Sequence, residues 1–285
     1  MIKNNRNIIV LVLLIMLSVS ACTERIDIDL DKQEYVRIVV EGAITTDTMA
    51  HLVTLTQTSD YFHNEPPLPV SGAEVVIYSD SNTYFLREKP ESSGRYYTDP
   101  NVFGIVGKTY HLKINLQEPV GGHKEYEAVS TIYPINRIDS IALEFHPDWG
   151  TSGYWEVKCY VWDPPTEDFY MFHVYRNEQP CNDTITDVFV VDDLAYNGNY
   201  TNGIGVAFLN QAYRHQKLVS GDLVTLRISR ITKEYALFLT DVQQEVNFSM
   251  PLFSGPPANV KGNISNGGIG AFAAWSSSYA SAYVK

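Results

Sequence analysis

The chain has 285 residues, 45% of them hydrophobic and 19% charged, enough apolar mass for a sizeable core and too little charge for a disordered chain. Acids outnumber bases, 33 against 21, and the formal charge of -12 repels a phosphate backbone and excludes nucleic acid as a partner. The 19 tyrosines, with Val, Ile and Thr, suit half-buried pleated surfaces, so the expected class is mainly β.

Lys3 and Arg6 lie in a short polar start, followed by an unbroken apolar run from Ile8 to Leu17. A bilayer crossing needs roughly 20 apolar residues. The shorter run therefore reads as the core of a secretory signal occupying residues 1–21. Val19-Ser20-Ala21-Cys22 resembles the lipobox of bacterial lipoproteins, whose Cys thiol carries diacylglycerol. The resemblance implies that Cys22 is lipidated and that the outer-membrane lipid leaflet is the first partner of the body behind it. A chance Cys beside an ordinary cleavage site is the alternative. Thr23 takes the place of the Asp that commonly retains lipoproteins in the inner membrane, which favours the outer membrane.

Residues 22–34 form an acidic tether with Glu24, Asp27, Asp29, Asp31 and Glu34. They resemble the surface-export signals of Bacteroidota-type lipoproteins, which implies the cell surface, with the periplasmic face as the alternative. Alternation of the aspartates with Ile28 and Leu30 fits a solvated edge strand equally well.

Residues 35–133 read as an immunoglobulin-like β-sandwich of short strands: Tyr35 to Val40, His51 to Gln57, Glu74 to Ser79, Thr83 to Glu88, Gly94 to Thr98, Thr109 to Asn115 and Glu125 to Thr131. Pro66-Pro67-Leu68-Pro69 blocks ladder pairing, and Gly121-Gly122 closes a hairpin between the last two strands. Pro134 marks the boundary. Residues 134–285 read as a second β-rich domain with strands at Trp155 to Trp162, Asp168 to Arg176 and Leu223 to Ile231, the last alternating with period two. One amphipathic helix follows, with Thr232 as N-cap and Tyr235, Phe238, Leu239, Val242 and Val246 at three- and four-residue spacing. A loop and a small-residue strand, Ile269 to Trp275, finish the chain.

Local catalytic signals are absent: no G-x-S-x-G, S-x-x-K or H-E-x-x-H occurs, and the 7 histidines are scattered. The chain is therefore expected to be non-enzymatic, with no cofactor and no metal site. Asp183, Asp187, Asp192 and Asp193 with Asn197, Gly198 and Asn199 offer oxygen ligands, but their spacing is not that of a calcium loop, and a solvated acidic loop is the expectation. Cys159 and Cys181 form an even pair that an oxidising envelope could join, the alternative being two buried thiols. In the strand from Trp155, alternation puts Val157, Cys159 and Val161 on the core face and leaves Tyr160 and Trp162 on the other as candidate ligand contacts. Asp47-Thr48-Met49, Asp139-Ser140-Ile141 and Asp183-Thr184-Ile185 resemble the Asp-Ser/Thr-apolar acceptor of envelope O-glycosylation, which marks Thr48, Ser140 and Thr184.

Taken in order, Val39-Val40-Glu41-Gly42-Ala43-Ile44, Val70-Ser71-Gly72-Ala73-Glu74-Val75, Gly94-Arg95-Tyr96-Tyr97, Gly107-Lys108-Thr109-Tyr110 and Pro256 to Ile264 are similar to the Bacteroidota outer-membrane lipoproteins of the DUF4249 type. The first half is also similar to the carboxypeptidase-regulatory-like members of the immunoglobulin-like folds. Members of the lipoprotein family are commonly encoded beside TonB-dependent receptors. The resemblance thus implies an accessory lipoprotein that assists nutrient capture or assembly at such a transporter, and it implies no catalytic residues. A stand-alone glycan- or peptide-binding module, an envelope hydrolase with dispersed carboxylates and a structural surface subunit are the alternatives.

Overall fold

The computed structural model describes residues 36–58, 66–182, 184–247 and 260–285. The signal segment, the acidic tether and Cys22 lie outside the described residues. Residues 36–285 form one compact unit, and its described residues are mainly β with one helix. Its first eight strands are β1 (Ile38–Thr45), β2 (Leu52–Gln57), β3 (Glu74–Tyr78), β4 (Thr83–Phe85), β5 (Arg87–Glu88), β6 (Arg95–Tyr97), β7 (Thr109–Val120) and β8 (His123–Thr131). Then come β9 (Ser140–His146), β10 (Tyr154–Tyr160), β11 (Phe169–Arg176), β12 (Gln179–Pro180), β13 (Phe189–Asp192), β14 (Ile204–Asn210), β15 (Leu223–Ile231), helix α1 (Lys233–Asn247) and β16 (Ile269–Tyr283).

Period-two alternation builds the first half. Tyr110, Leu112, Ile114 and Leu116 of β7 point inward with Tyr126 and Ala128 of β8, and β7 continues a four-stranded sheet of order β4-β3-β7-β8. These side chains pack against Ile38, Val40 and Ile44 of β1, Val53 and Leu55 of β2, and Phe272 of β16, all in the facing sheet. That sheet has nine strands, in the order β12-β11-β15-β16-β1-β2-β6-β5 with β13 also paired to β11. In the second half its β11 and β15 share a core with the three-stranded sheet β14-β10-β9, through Phe172, Val174, Leu226, Ile228, Val157 and Leu209.

The shared element is β16. Its first half runs parallel to β1, from Val39 opposite Ile269 to Thr45 opposite Trp275. Its second half runs antiparallel to β15, from Arg230 opposite Ser276 to Leu223 opposite Tyr283. The strand expected at Ile269 to Trp275 therefore runs eight residues further. Its even positions face inward throughout: Phe272 and Ala274 enter the first core, and Ala280 and Ala282 pack on the second. Between the cores stand Ser276 and Ser278, both buried. Ser276 Oγ donates to the Tyr133 carbonyl at 2.6 Å, and Ser278 Oγ accepts from Ile138 N–H at 2.9 Å. The expected boundary at residues 133 and 134 thus lies on a segment that crosses the sheet at these serines. Residues 38–132 line the first core and residues 138–228 the second, while Ile264, Phe272 and Ala274 return from beyond the boundary to the first. Gly270 is what lets β16 come so close to β1: its φ is +94°, and a Cβ there would lie 2.1 Å from the Val40 carbonyl oxygen.

Helix α1 begins where the pattern places it. Thr232 Oγ1 accepts from Tyr235 N–H at 3.2 Å, satisfying one donor of the first turn. Ala236 and Leu239 then bury against Met171, Ile231, Ala273 and Trp275 on the outer face of the large sheet.

Candidate functional site

The chain leaves β10 at Tyr160 and passes through Val161-Trp162-Asp163-Pro164-Pro165 before re-entering the large sheet at β11. The two prolines supply no N–H for a ladder, which keeps this connection out of either sheet. It is held instead by Asp163 N–H donating to the Asn199 carbonyl at 3.0 Å and by an isolated bridge between Trp162 and Tyr200. A second connection after β13 folds back over it. Asp193 N–H donates to the Asp168 carbonyl at 3.2 Å, and Asp168 N–H donates to Asp193 Oδ2 at 3.1 Å.

These two loops bring three buried carboxylates together. One oxygen each from Asp163, Asp168 and Asp193 lies within 4.8 Å of the others. Tyr170 donates its hydroxyl to Asp163 Oδ1 at 2.7 Å, with Asp168 Oδ2 at 3.3 Å, and Gly198 N–H donates to Asp163 Oδ2 at 3.3 Å. Thr166 donates to Asp168 Oδ2 at 3.0 Å. Arg230, 9% exposed, pairs with Asp168 Oδ1, donates to the Pro134 carbonyl at 2.6 Å, and lies over the Tyr133 ring at 5.4 Å. Asp193 is 3% exposed, and its Oδ1 has no partner among the described residues.

Burial and the neighbouring charges shift the carboxyls of Asp163 and Asp168. Burial pushes the Asp163 carboxyl up, the charges of Asp193 and Asp168 add to the rise, and the Tyr170 hydroxyl opposes it. Burial also raises Asp168, against the pull of Arg230. The Tyr170 hydroxyl moves up, first through burial and then through its bond to Asp163.

Asp163 and Asp193 also line a pocket of about 260 Å³. Phe172, Phe189, Val191, Ile228, Trp162 and Tyr196 supply most of the remaining lining, with Asn136, Asp192 and Thr201 adding polar groups. The pocket volume lies just below the usual range for small-molecule sites, roughly 300–1,000 Å³. Trp162 is 60% exposed, its ring tilted against Tyr200 at 5.3 Å between centroids.

Of the two aromatic candidates, the structure brings only Trp162 to the pocket. Tyr160 is half-buried, and its ring covers Gly203, where a Cβ would fall 2.5 Å from it. Cys159 and Cys181, the possible disulfide pair, are both buried. Both thiols are buried in the second core, where a neutral thiol packs as a small hydrophobe, and burial pushes the Cys159 thiol up to about 12. Thr48, Ser140 and Thr184 are all exposed, so burial is no obstacle to modification at any of them. Of the acidic loop, Asp183 lies outside the described residues, and Asp187 and Asp192 are solvated as expected. Asp193 is not: it turns inward to residues 25 and 30 positions earlier, a convergence that no local spacing signals.

A second group, Glu144, His146 and Glu156, meets across the β9–β10 pair. Its members already have partners. His146 Nε2 lies 2.9 Å from Glu156, Lys158 pairs with Glu144, and Trp149 stacks on the His146 ring at 3.8 Å.

The chain matches the family described as "Domain of unknown function (DUF4249)" over residues 23–280. A solved structure from Bacteroides uniformis ATCC 8492, provisionally described as a carbohydrate binding protein, is similar at 11% identity over 68% of this chain and 88% of that one, with a TM-score of 0.20. A likeness of that size carries no argument for this chain. No curated protein matches it.

Proposed function

The chain belongs to the DUF4249 family, and from that membership we propose that it is a non-enzymatic, lipid-anchored accessory lipoprotein of the outer membrane, facing the cell surface. In this reading it works beside a TonB-dependent receptor and holds a small ligand in the pocket next to Trp162. The ligand-holding part is carried by one observation: a concave, mostly apolar pocket lined by a few polar groups, Asp163 and Asp193 among them, and by the exposed Trp162, the usual form of a small-molecule site. The address rests on the lipobox ending at Cys22 and on the acidic tether behind it. The transporter partner rests on the family likeness.

Extraction of the native lipoprotein in mild detergent, followed by affinity capture, tests the proposal. A co-purifying receptor, lost when Cys22→Ser releases the chain from the membrane, is the expected result. A monomer with no receptor attached sinks the transporter role. A stand-alone binding module is the second reading, favoured by the exposed Trp162 resting on the half-buried Tyr200. That outcome would show ligand binding undiminished in the monomer.

A further inference from the structure

Asp163, Asp168 and Asp193 are all buried, and among the described residues only Arg230 forms an ion pair with any of them. Three ionised carboxylates beside one guanidinium leave two negative charges out of water without a counterion. Buried charges are held by pairing or by a metal ion. A separate observation concerns Asp193, which is 3% exposed: its Oδ1 has less than 1 Å² of accessible surface and no hydrogen-bond partner among the described residues. An acceptor closed off in this way is satisfied only from inside the cluster, by a proton or by a small cation held among its neighbours. After burial, the Asp193 charge is among the causes that raise both Asp163 and Asp168, so its carboxylate is turned to the other two.

The spacing fits an ion. One oxygen from each aspartate lies within 4.8 Å of the other two. Oxygens on opposite sides of a calcium ion are about 4.6–5.2 Å apart, so all three fit one calcium shell. Asp163 accepts from Tyr170 and Gly198, and Asp168 from Arg230, Thr166 and Tyr170. Those bonds do not exhaust them, because a carboxylate has about four lone-pair sites. A donor set made only of oxygen selects a hard cation over zinc or copper. Magnesium demands near-ideal octahedral geometry, whereas calcium accepts oxygens at irregular positions, and here the positions are fixed by two loops and the start of β11. Asp163 and Asp193 also line the pocket, with Asp192 and Thr201, which brings water to the edge of the cluster to complete a shell.

We propose that Asp163, Asp168 and Asp193 together hold one calcium ion, with Arg230 balancing the third carboxylate. The ion clamps the connection after β10 to the one after β13, and so fixes the backbone that carries Trp162 and Tyr196. The clamp does not require that the pocket take a ligand.

The full chain, stripped with EDTA, is titrated at pH 7.5 with calcium chloride and, separately, magnesium chloride, followed by calorimetry and thermal shift. One calcium per chain should bind with a Kd at or below about 1 mM, more tightly than magnesium, and raise the melting temperature. Asp193→Asn and Asp163→Asn should each weaken binding by about tenfold or more, because each removes a charged ligand. Glu144→Gln, in the group across β9 and β10, should leave it unchanged. A crystal grown with calcium needs no variant, so it decides the matter even where the Asn variants fold poorly: the ion should lie about 2.3–2.6 Å from an oxygen of each aspartate. Absence of calcium binding overturns the proposal. So does binding that both Asn variants leave intact, binding that Glu144→Gln removes, or an ion seated away from the three aspartates. Tighter binding of magnesium overturns the choice of calcium.

Discussion

Replacing Arg230 with Met tests the charge balance at the centre of the second half. The substitution keeps the apolar stem that packs in the sheet and removes only the guanidinium. Arg230 is 9% and Asp168 1% exposed, so the pair lies outside the solvent-screened class worth 0 to about 1 kcal/mol. Without the cation, Asp168 keeps the hydroxyls of Thr166 and Tyr170 but faces Asp163 and Asp193 uncompensated, and the Pro134 carbonyl loses its donor. Breaking a buried pair from one side costs about 3–5 kcal/mol, and that is the expected loss in equilibrium urea unfolding at pH 7. The sign of the pH dependence follows from the direction of the shift. Burial already holds the Asp168 carboxyl above its ordinary value, and Arg230 is what restrains it. In the variant the folded chain binds a proton more tightly than the unfolded chain, so stability falls as pH rises and the loss shrinks on acidification. Arg230→Met with Asp168→Asn should recover more than half of the loss. A loss below 1 kcal/mol at pH 7, an equal loss at pH 5 and pH 8, or a double variant as unstable as the single one would refute the reasoning.

Four further outcomes are open to measurement. Phe272→Ala empties a fully buried ring site in the first core and should cost about 4 kcal/mol in urea unfolding. Gly270→Ala puts a Cβ against the Val40 carbonyl at a positive φ and should cost on the order of 3 kcal/mol, read as a lower melting temperature. Burial, helped by Arg227, pushes the His173 imidazole down to about 3, so its contribution is complete above the ordinary value of 6.5 and is lost as pH falls toward 3. His173→Gln should flatten the pH dependence of stability in that window by up to about 1.4 kcal/mol per pH unit, and an unchanged slope would count against it. In a Cys22→Ser background, Cys159 should resist a thiol reagent in the folded chain and react once the chain is unfolded.

Much of the fold is legible because it is written in local periodicity. Leu223 to Ile231 alternates, and β15 spans those residues; Thr232 and the three- and four-residue spacing after it mark α1. Gly121-Gly122 closes the β7–β8 hairpin, both glycines at positive φ. What escapes is the non-local part. The small residues of β16 resemble a short terminal strand until β15 and the crossing segment supply partners for Ser276 to Tyr283. At the site, Trp162 was visible as the outward member of an alternating run, whereas Asp163, Asp168 and Asp193 come from two loops and a strand start. An Asp next to Pro-Pro reads as a turn, and nothing nearby in sequence reveals that its carboxylate is buried.

The placement of β16 also constrains the order in which the chain can fold. Thr46 and Ser277, hydrogen-bonded in the finished protein, are 231 positions apart. A polypeptide emerging N-terminus first from a ribosome or a translocation pore must wait for its last few dozen residues before β1 gains its parallel neighbour and Phe272 fills the space beside Ile38 and Val40. Closing so long a loop is slow, and the leading half therefore stays incomplete, its apolar surface open to chaperones, for as long as the C-terminus is still being threaded.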